Sequence, residues 1–211
     1  MKWIAHNGAG YDSIDIHACK ARGIISATSI IAHLTWKLDI YVSNTPSVVN
    51  DATATTALYL LIATLRKFTF AEYSLRQLKW KPDGISNDSR DPTGKTLAIL
   101  GLGGIGMRVA TFANTLSMCI TYHSRHENPD APAYCKYFED VEEMLRQADV
   151  LSIHVPLGPE TVGLVSERWI RLLKPGAVII NTARGRIIDE KAMISALEDG
   201  HVRSLYGIGN N

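Results

Sequence analysis

No two cysteines in this chain are spaced to share a metal or close a short disulfide loop. Cys19, Cys119 and Cys135 are an odd number without a CxxC pair, which fits a reducing compartment and argues against a disulfide framework or a zinc site. Charge of one sign is lacking too. Twenty-two basic residues face 21 acidic ones, net +1, with no run of like charge, so nothing offers DNA, RNA or anionic lipid an electrostatic footprint. Long apolar runs are absent: "ALYLLIA" at 57–63 is the longest, far short of the roughly 20 residues of a membrane span. The stretch "MKWIAHNGAG" carries no apolar run of the signal-peptide kind. Neither an internal repeat nor a low-complexity tract occurs. These absences leave a cytoplasmic protein with small-molecule partners, no nucleic acid, no membrane and no metal.

What is present is enough for an ordinary core, since 46% of the 211 residues are apolar. From residue 94 onward, short β-rich runs alternate with amphipathic stretches, the pattern of an α/β doubly wound parallel sheet. Strands are expected at 96–100, 119–122, 136–138, 150–155, 177–181 and 202–205, with helices at about 105–116, 140–147, 166–173 and 190–198. Ser166 and Asp189 stand as N-caps, "KPG" at 174–176 as a stop, and Gly200 as a helix end. Upstream, 51–68 reads as a long helix capped by Asp51, with Leu58, Leu61, Ile62 and Leu65 on one face, and 71–80 as a second helix. Segment 25–41 follows neither a helical nor a strand period.

The chemistry starts at "LAILGLGGIGMRVATF", 97–112, where a strand runs into Gly101-x-Gly103-x-x-Gly106 and on into a helix. A lone GxGxxG is weak, but the following "MCITYHSR" completes a βαβ unit of the required length. In such a unit Gly101 permits the tight turn, Gly103 the approach of a pyrophosphate, and Gly106 close helix packing. The N–H groups of Gly104, Ile105 and their neighbours then face the phosphates at the positive end of the dipole. A carboxylate at the end of the second strand would bond the ribose 2′-hydroxyl of NAD. Here that end reads "YHSRH" with no Asp or Glu. Ser124 can donate a hydrogen bond and Arg125 offers a planar fork suited to phosphate, with His123 or His126 in support, so NADP(H) is favoured over NAD(H). The bland alternative is a solvated loop.

Three further stretches, "HNGAGYDSIDIHACKARGI" at 6–24, "ADVLSIHVPLGPETVGLVS" at 148–166 and "LKPGAVIINTARGRIIDEKAMISALEDGHV" at 173–202, join the glycine loop and "VNDATATTALYLL". Together they resemble the D-isomer-specific 2-hydroxyacid dehydrogenases, close to the glyoxylate and hydroxypyruvate reductase branch. The resemblance implies a Rossmann-like domain over 46–211 and the remnant of a smaller substrate domain over 1–45. It implies an NAD(P)-dependent oxidoreductase that reduces a small 2-oxo acid to its 2-hydroxy acid. The arginine of the ARG motif, Arg184, would be the catalytic substrate clamp, a task suited to a permanently charged planar donor. Backbone N–H groups of Ala9 and Gly10 would hold the same carboxylate. Val155, Pro156, Thr161, Thr182 and Ala183 would lie along the cofactor, while His154 is read as structural. Family members usually dimerise through the nucleotide domain, which implies a homodimer with Leu75, Leu78 and Trp80 as contact surface; packing of these residues on their own domain is the alternative.

The family's general acid, a histidine, and its tuning glutamate follow a further segment resembling "GLDV", whereas this sequence reads "VRSLYGIGNN". No histidine here matches that role by motif, and loss of a general acid costs about 10² to 10⁴ in rate. With 25–41 standing where a short strand and turn should join, the expectation is a fragment or incomplete gene model, which an uninterrupted transcript would refute. The competing expectation is a short variant that binds NAD(P) without catalysis.

Overall fold

The computed structural model describes residues 3–5, 14–21, 24–27, 40–43, 47–80 and 88–207. The chain divides into two compact units, Met1–Asp51 and Ala52–Asn211.

The first unit holds a three-stranded parallel sheet, β1 (Trp3–Ala5), β2 (Ile24–Ala27) and β3 (Ile40–Ser43), in the order β1-β3-β2. Between β1 and β2 runs α1 (Ile16–Ala21), whose Ala18 N–H donates to the Asp15 carboxylate at 2.8 Å. The segment without clear period thus contains paired strand at both ends, with Ile25 opposite Tyr41. Its middle, 28–39, lies outside the described residues, as do Ala9 and Gly10.

The second unit is built on six parallel strands. They are β4 (Thr96–Leu100), β5 (Cys119–His123), β6 (Cys135–Tyr137), β7 (Val150–Ile153), β8 (Ala177–Asn181) and β9 (Val202–Gly207), in the order β6-β5-β4-β7-β8-β9. Between them run α4 (Gly104–Thr115), α5 (Val141–Leu145), α6 (Glu167–Leu172) and α7 (Glu190–Glu198), preceded in the chain by α2 (Asn50–Leu65) and α3 (Phe68–Arg76). This is the doubly wound Rossmann order, and the direction of winding reverses between β4 and β7, where a crevice opens at the carboxyl ends of the strands.

Both faces of the sheet are covered, which is why its central strands read as unbroken apolar runs. On one face Leu97, Ile99, Val150, Val178 and Ile180 pack with Ala57, Leu61 and Leu65 of α2 and with Val109, Ala110 and Ala113 of α4. On the other, Leu100, Leu151, Ile153 and Ile179 pack with Met144, Ile170 and Met193. Each fully buried Leu or Ile contributes about 1.5–3 kcal/mol.

The helix expected over 51–68 starts at Asn50, so Asp51 sits in its first turn rather than at the cap. Its buried stripe is Ala54, Ala57, Leu61 and Leu65, with Leu58 and Ile62 only half-buried. The chain then breaks at Lys67, left-handed at φ +57°, and α3 starts three residues earlier than the expected 71–80 helix and ends at Arg76. Ser166 occupies the N-cap of α6 without a side-chain cap bond, whereas Asp189 does cap α7. Gly200, at φ +76°, ends α7 in the left-handed region that glycine tolerates.

Candidate functional site

The glycine loop leaves β4 at the point where the winding reverses. Gly101 takes φ +94°, and a Cβ there would meet Val155 Cγ1 at 3.0 Å and the His154 carbonyl at 3.1 Å. Gly106 lies so close beneath it that a Cβ would run into the Gly101 carbonyl oxygen, with Ile99 Cγ2 at 3.2 Å. Gly103 differs: it is the N-cap of α4, and no atom lies within 4 Å of the position its Cβ would take. Two of the three glycines therefore let the protein pack on itself, while the third leaves space open to a ligand.

The first turn of α4 suits an anion. It has no side-chain cap and no acidic residue, unlike α5, capped by Asp140 and followed by Glu142 and Glu143, or α7, capped by Asp189 and followed by Glu190. The N–H groups of Gly104, Ile105 and Gly106 belong to the turn that helix geometry leaves without intrahelical partners. A diphosphate fits there by charge and by space.

Beside this loop lies a cleft of about 440 Å³ that brings together Ser124, Arg125, Val155, Pro156 and Thr161 with Leu100, His123, Leu164 and Trp169. The Ser124 hydroxyl donates to the His126 carbonyl at 2.6 Å, so its proton is committed within the loop and would have to be released toward a phosphate. Arg125 is exposed and forms no ion pair among the described residues. His123 Nδ1 donates to the Phe138 carbonyl at 3.0 Å. Thr161 folds its own loop: its hydroxyl accepts from Gly158 N–H at 2.8 Å and donates to the Pro156 carbonyl at 2.7 Å.

Thr182, Ala183 and Arg184 do not line this cleft. They follow β8 at the carboxyl edge of the sheet, β8 itself being wholly buried. Arg184 is extended at φ −145°, ψ 139°, and half-buried, with Nη1 donating to the Ala183 carbonyl at 2.8 Å. The Thr182 hydroxyl is buried without a hydrogen-bond partner among the described residues. Sequence reasoning missed Asn128, which donates from Nδ2 to the Leu102 carbonyl at 2.8 Å and from its N–H to the Tyr122 hydroxyl at 3.2 Å, tying the loop after β5 to the glycine loop. It also missed Leu164 and Trp169, whose place in the cleft depends on how a helix start folds back. The "ENP" turn was the only local hint of Asn128.

Two ionisable groups near these elements serve structure. The Cys135 thiol is pushed up to about 11 by burial, which keeps it protonated and unreactive near neutral pH. The His154 backbone N–H donates to the Leu100 carbonyl at 2.8 Å, and ring Nε2 pairs with the Ser152 hydroxyl at 2.8 Å. Burial lowers its pKa to about 4. Because the unfolded chain binds this proton near pH 6.5 and the folded one near pH 4, stability from His154 is present above pH 6.5 and is lost as pH falls through that window. About 2 kcal/mol should be gone by pH 5, so thermal melts at pH 7 and pH 5 should diverge less in His154→Gln than in the parent protein. An equal divergence would contradict the assignment.

Among the described residues no group of three or more His, Cys, Asp or Glu side chains could hold a metal ion, and no helix is long and apolar enough to cross a membrane.

Known proteins resemble this chain over nearly its whole length. The chain is 40% identical over 205 residues to 4-methyl-2-oxopentanoate reductase A of Aspergillus oryzae, covering 97% of this chain and 56% of that protein. It is 36% identical over 208 residues to a glyoxylate reductase of Thermococcus gammatolerans, covering 96% of this chain and 58% of that protein. The crystal structure of a glyoxylate reductase from Paecilomyes thermophila superposes with a TM-score of 0.82 at 38% identity, covering 100% of this chain and 58% of that one. The chain thus spans somewhat over half the length of these relatives. The sequence model of the D-isomer specific 2-hydroxyacid dehydrogenase NAD binding domain matches residues 58–207, and the chain belongs to that family of nicotinamide-dependent oxidoreductases.

Proposed function

We propose that this chain serves an NAD(P)-dependent reductase of small 2-oxo acids of the glyoxylate or hydroxypyruvate kind. The observation that carries the reading is the glycine loop at the winding reversal, where the open space over Gly103 faces the uncapped, acid-free start of α4. Two relatives named as reductases of different 2-oxo acids support the substrate class. When bound, the dinucleotide supplies the hydride. The protein's own contribution is to bind and orient: Gly103, Gly104, Ile105 and Gly106 for the diphosphate, Val155, Pro156, Thr161, Thr182 and Ala183 along the cofactor, and Arg184 as the clamp on the carboxylate and carbonyl. Ala9 and Gly10 keep the N–H donor role implied by the resemblance. Residues 1–45 then belong to the substrate domain and 46–211 to the nucleotide domain. Loss of NADPH absorbance on adding glyoxylate or hydroxypyruvate tests the reaction; a protein that binds NADPH and turns over neither acid contradicts it.

NADP(H) is the preferred cofactor in this reading, with Arg125 facing the 2′-phosphate and Ser124 beside it. An exposed guanidinium that gives up no ion pair to bind phosphate contributes on the order of 1.5 kcal/mol, so Arg125→Ala should weaken NADPH binding about tenfold and leave NADH binding nearly unchanged in a fluorescence titration. Equal weakening of both would overturn the preference. The reading is completed by a cytoplasmic setting and a homodimer. The dimer rests on the exposed apolar side chains of Phe68, Tyr73 and Leu75 on α3 and of Leu78 and Trp80 beyond it.

A further inference from the structure

Asn181 is the last residue of β8 and is 2% exposed. A carboxamide at that depth needs partners, because burying it unpaired costs more than a single hydrogen bond gains. Both its polar atoms turn forward along the chain. Oδ1 accepts from the Ala183 N–H at 3.0 Å, and Nδ2 donates to the Arg184 carbonyl at 2.9 Å. The orientation of the amide is unambiguous, since a backbone N–H can only donate and a carbonyl can only accept. One side chain thus binds the backbone on both sides of the Ala183–Arg184 peptide bond.

The anchor is itself fixed. Asn181 pairs with Ile153 of β7 on one side and with Gly207 of β9 on the other. A Cβ at Gly207 would collide with the Asn181 carbonyl, so β9 lies against the Asn181 backbone as closely as a glycine permits. The 3₁₀ turn Gly185–Ile187 follows directly after Arg184. The Arg184 carbonyl also accepts from the Ile187 N–H at 3.2 Å, so Asn181 and the 3₁₀ turn together fix the backbone on which the guanidinium stands, and displacement of a binding group by about 1 Å can cost 10²-fold.

We propose that Asn181 is a positioning residue whose carboxamide sets the direction in which Arg184 is presented to the carboxylate of the 2-oxo acid. The inference rests on the reading of Arg184 as the substrate clamp. Aspartate cannot replace Asn181, because it offers only acceptors and would face the Arg184 carbonyl; serine is neutral but too short to span both bonds.

The test uses the intact protein, with oxamate as a non-reducible mimic of a 2-oxo acid titrated into the NADPH complex. In Asn181→Asp and Asn181→Ser, oxamate affinity should fall about tenfold or more, and NADPH affinity by clearly less, about threefold at most, since Ala183, whose N–H Asn181 holds, is read as lying along the cofactor. In an Arg184→Lys background the same Asn181 substitutions should have little further effect, because residues acting through one another are not additive. Unchanged oxamate affinity, a parallel loss of NADPH affinity, or full additivity in the Arg184→Lys background would each overturn the proposal. If the aspartate variant does not fold, the serine variant decides; loss of fold in both means a purely structural role and overturns it. A parent protein that binds no oxamate, or one in which Arg184→Lys changes nothing, defeats the clamp reading itself. A loss in Arg184→Lys without one in the Asn181 variants defeats only the positioning role.

Discussion

Arg184→Ala should weaken binding of the 2-oxo acid about 10² to 10⁴-fold while leaving the dinucleotide affinity within about twofold. A guanidinium that grips a carboxylate and its neighbouring carbonyl makes two charge-assisted hydrogen bonds, each contributing about 1.5–3 kcal/mol, and each 1.4 kcal/mol is tenfold in affinity. Lysine keeps the charge but not the planar fork, so Arg184→Lys should fall between, losing roughly tenfold. The cofactor keeps its own contacts, since Thr182 and Ala183, and not Arg184, are the residues of this segment read as lying along it. Arg184 lies beyond the end of β8, whereas the cleft lined by Ser124, Arg125 and Pro156 lies beside the glycine loop. Parallel titrations of oxamate and NADPH measure both quantities. Loss of NADPH affinity in step with oxamate would mean that Arg184 supports the fold or the cofactor and does not clamp the acid.

Exchange of the three glycines should split stability from binding. Gly101→Ala forces a side chain into a positive φ and against the His154 backbone, and Gly106→Ala drives one into the Gly101 carbonyl. Each should cost roughly 3 kcal/mol, lowering the melting temperature by about 6–12 °C for a unit of this size. At Gly103 a Cβ meets nothing within 4 Å and the φ of −85° is ordinary, so Gly103→Val should melt within about 2 °C of the parent. Yet its branches would stand where the diphosphate must approach the backbone, and NADPH affinity should drop tenfold or more. Calorimetry and nucleotide titration on the three variants read the two effects separately. A Gly103 variant as unstable as the other two would mean that all three glycines serve packing.

Much of the nucleotide-binding unit was legible because its sheet is buried on both faces. Strands such as Ala177–Asn181, without one exposed residue, appear in sequence as apolar runs bounded by turns, and their ends fall within two residues of those expected. The family resemblance added the proposed roles of Arg184 and of the residues along the cofactor, which no periodicity could supply. Other features were invisible for a physical reason. Neither a glycine nor a proline marks the break at Lys67, so two helices read as one long element and a misplaced second. Ser166 had the residue type of an N-cap but not the side-chain bond. Asn128 sits in a turn-like stretch and Asn181 at the end of an expected strand, and their bonds to Leu102, Ala183 and Arg184 exist only once the loops have been brought to the sheet edge. Local pattern records which residues are buried; it does not record which distant backbone group a buried amide will meet.

The most direct test of the central claim, that the loop Gly101–Gly106 holds a nicotinamide dinucleotide, is a fluorescence titration of NADPH with the protein and with Gly103→Val side by side. Saturable binding with one site per chain, weakened tenfold or more in the variant at a melting temperature within about 2 °C of the parent, is the expected result. Absence of saturable binding, or identical curves for the two proteins, would contradict it.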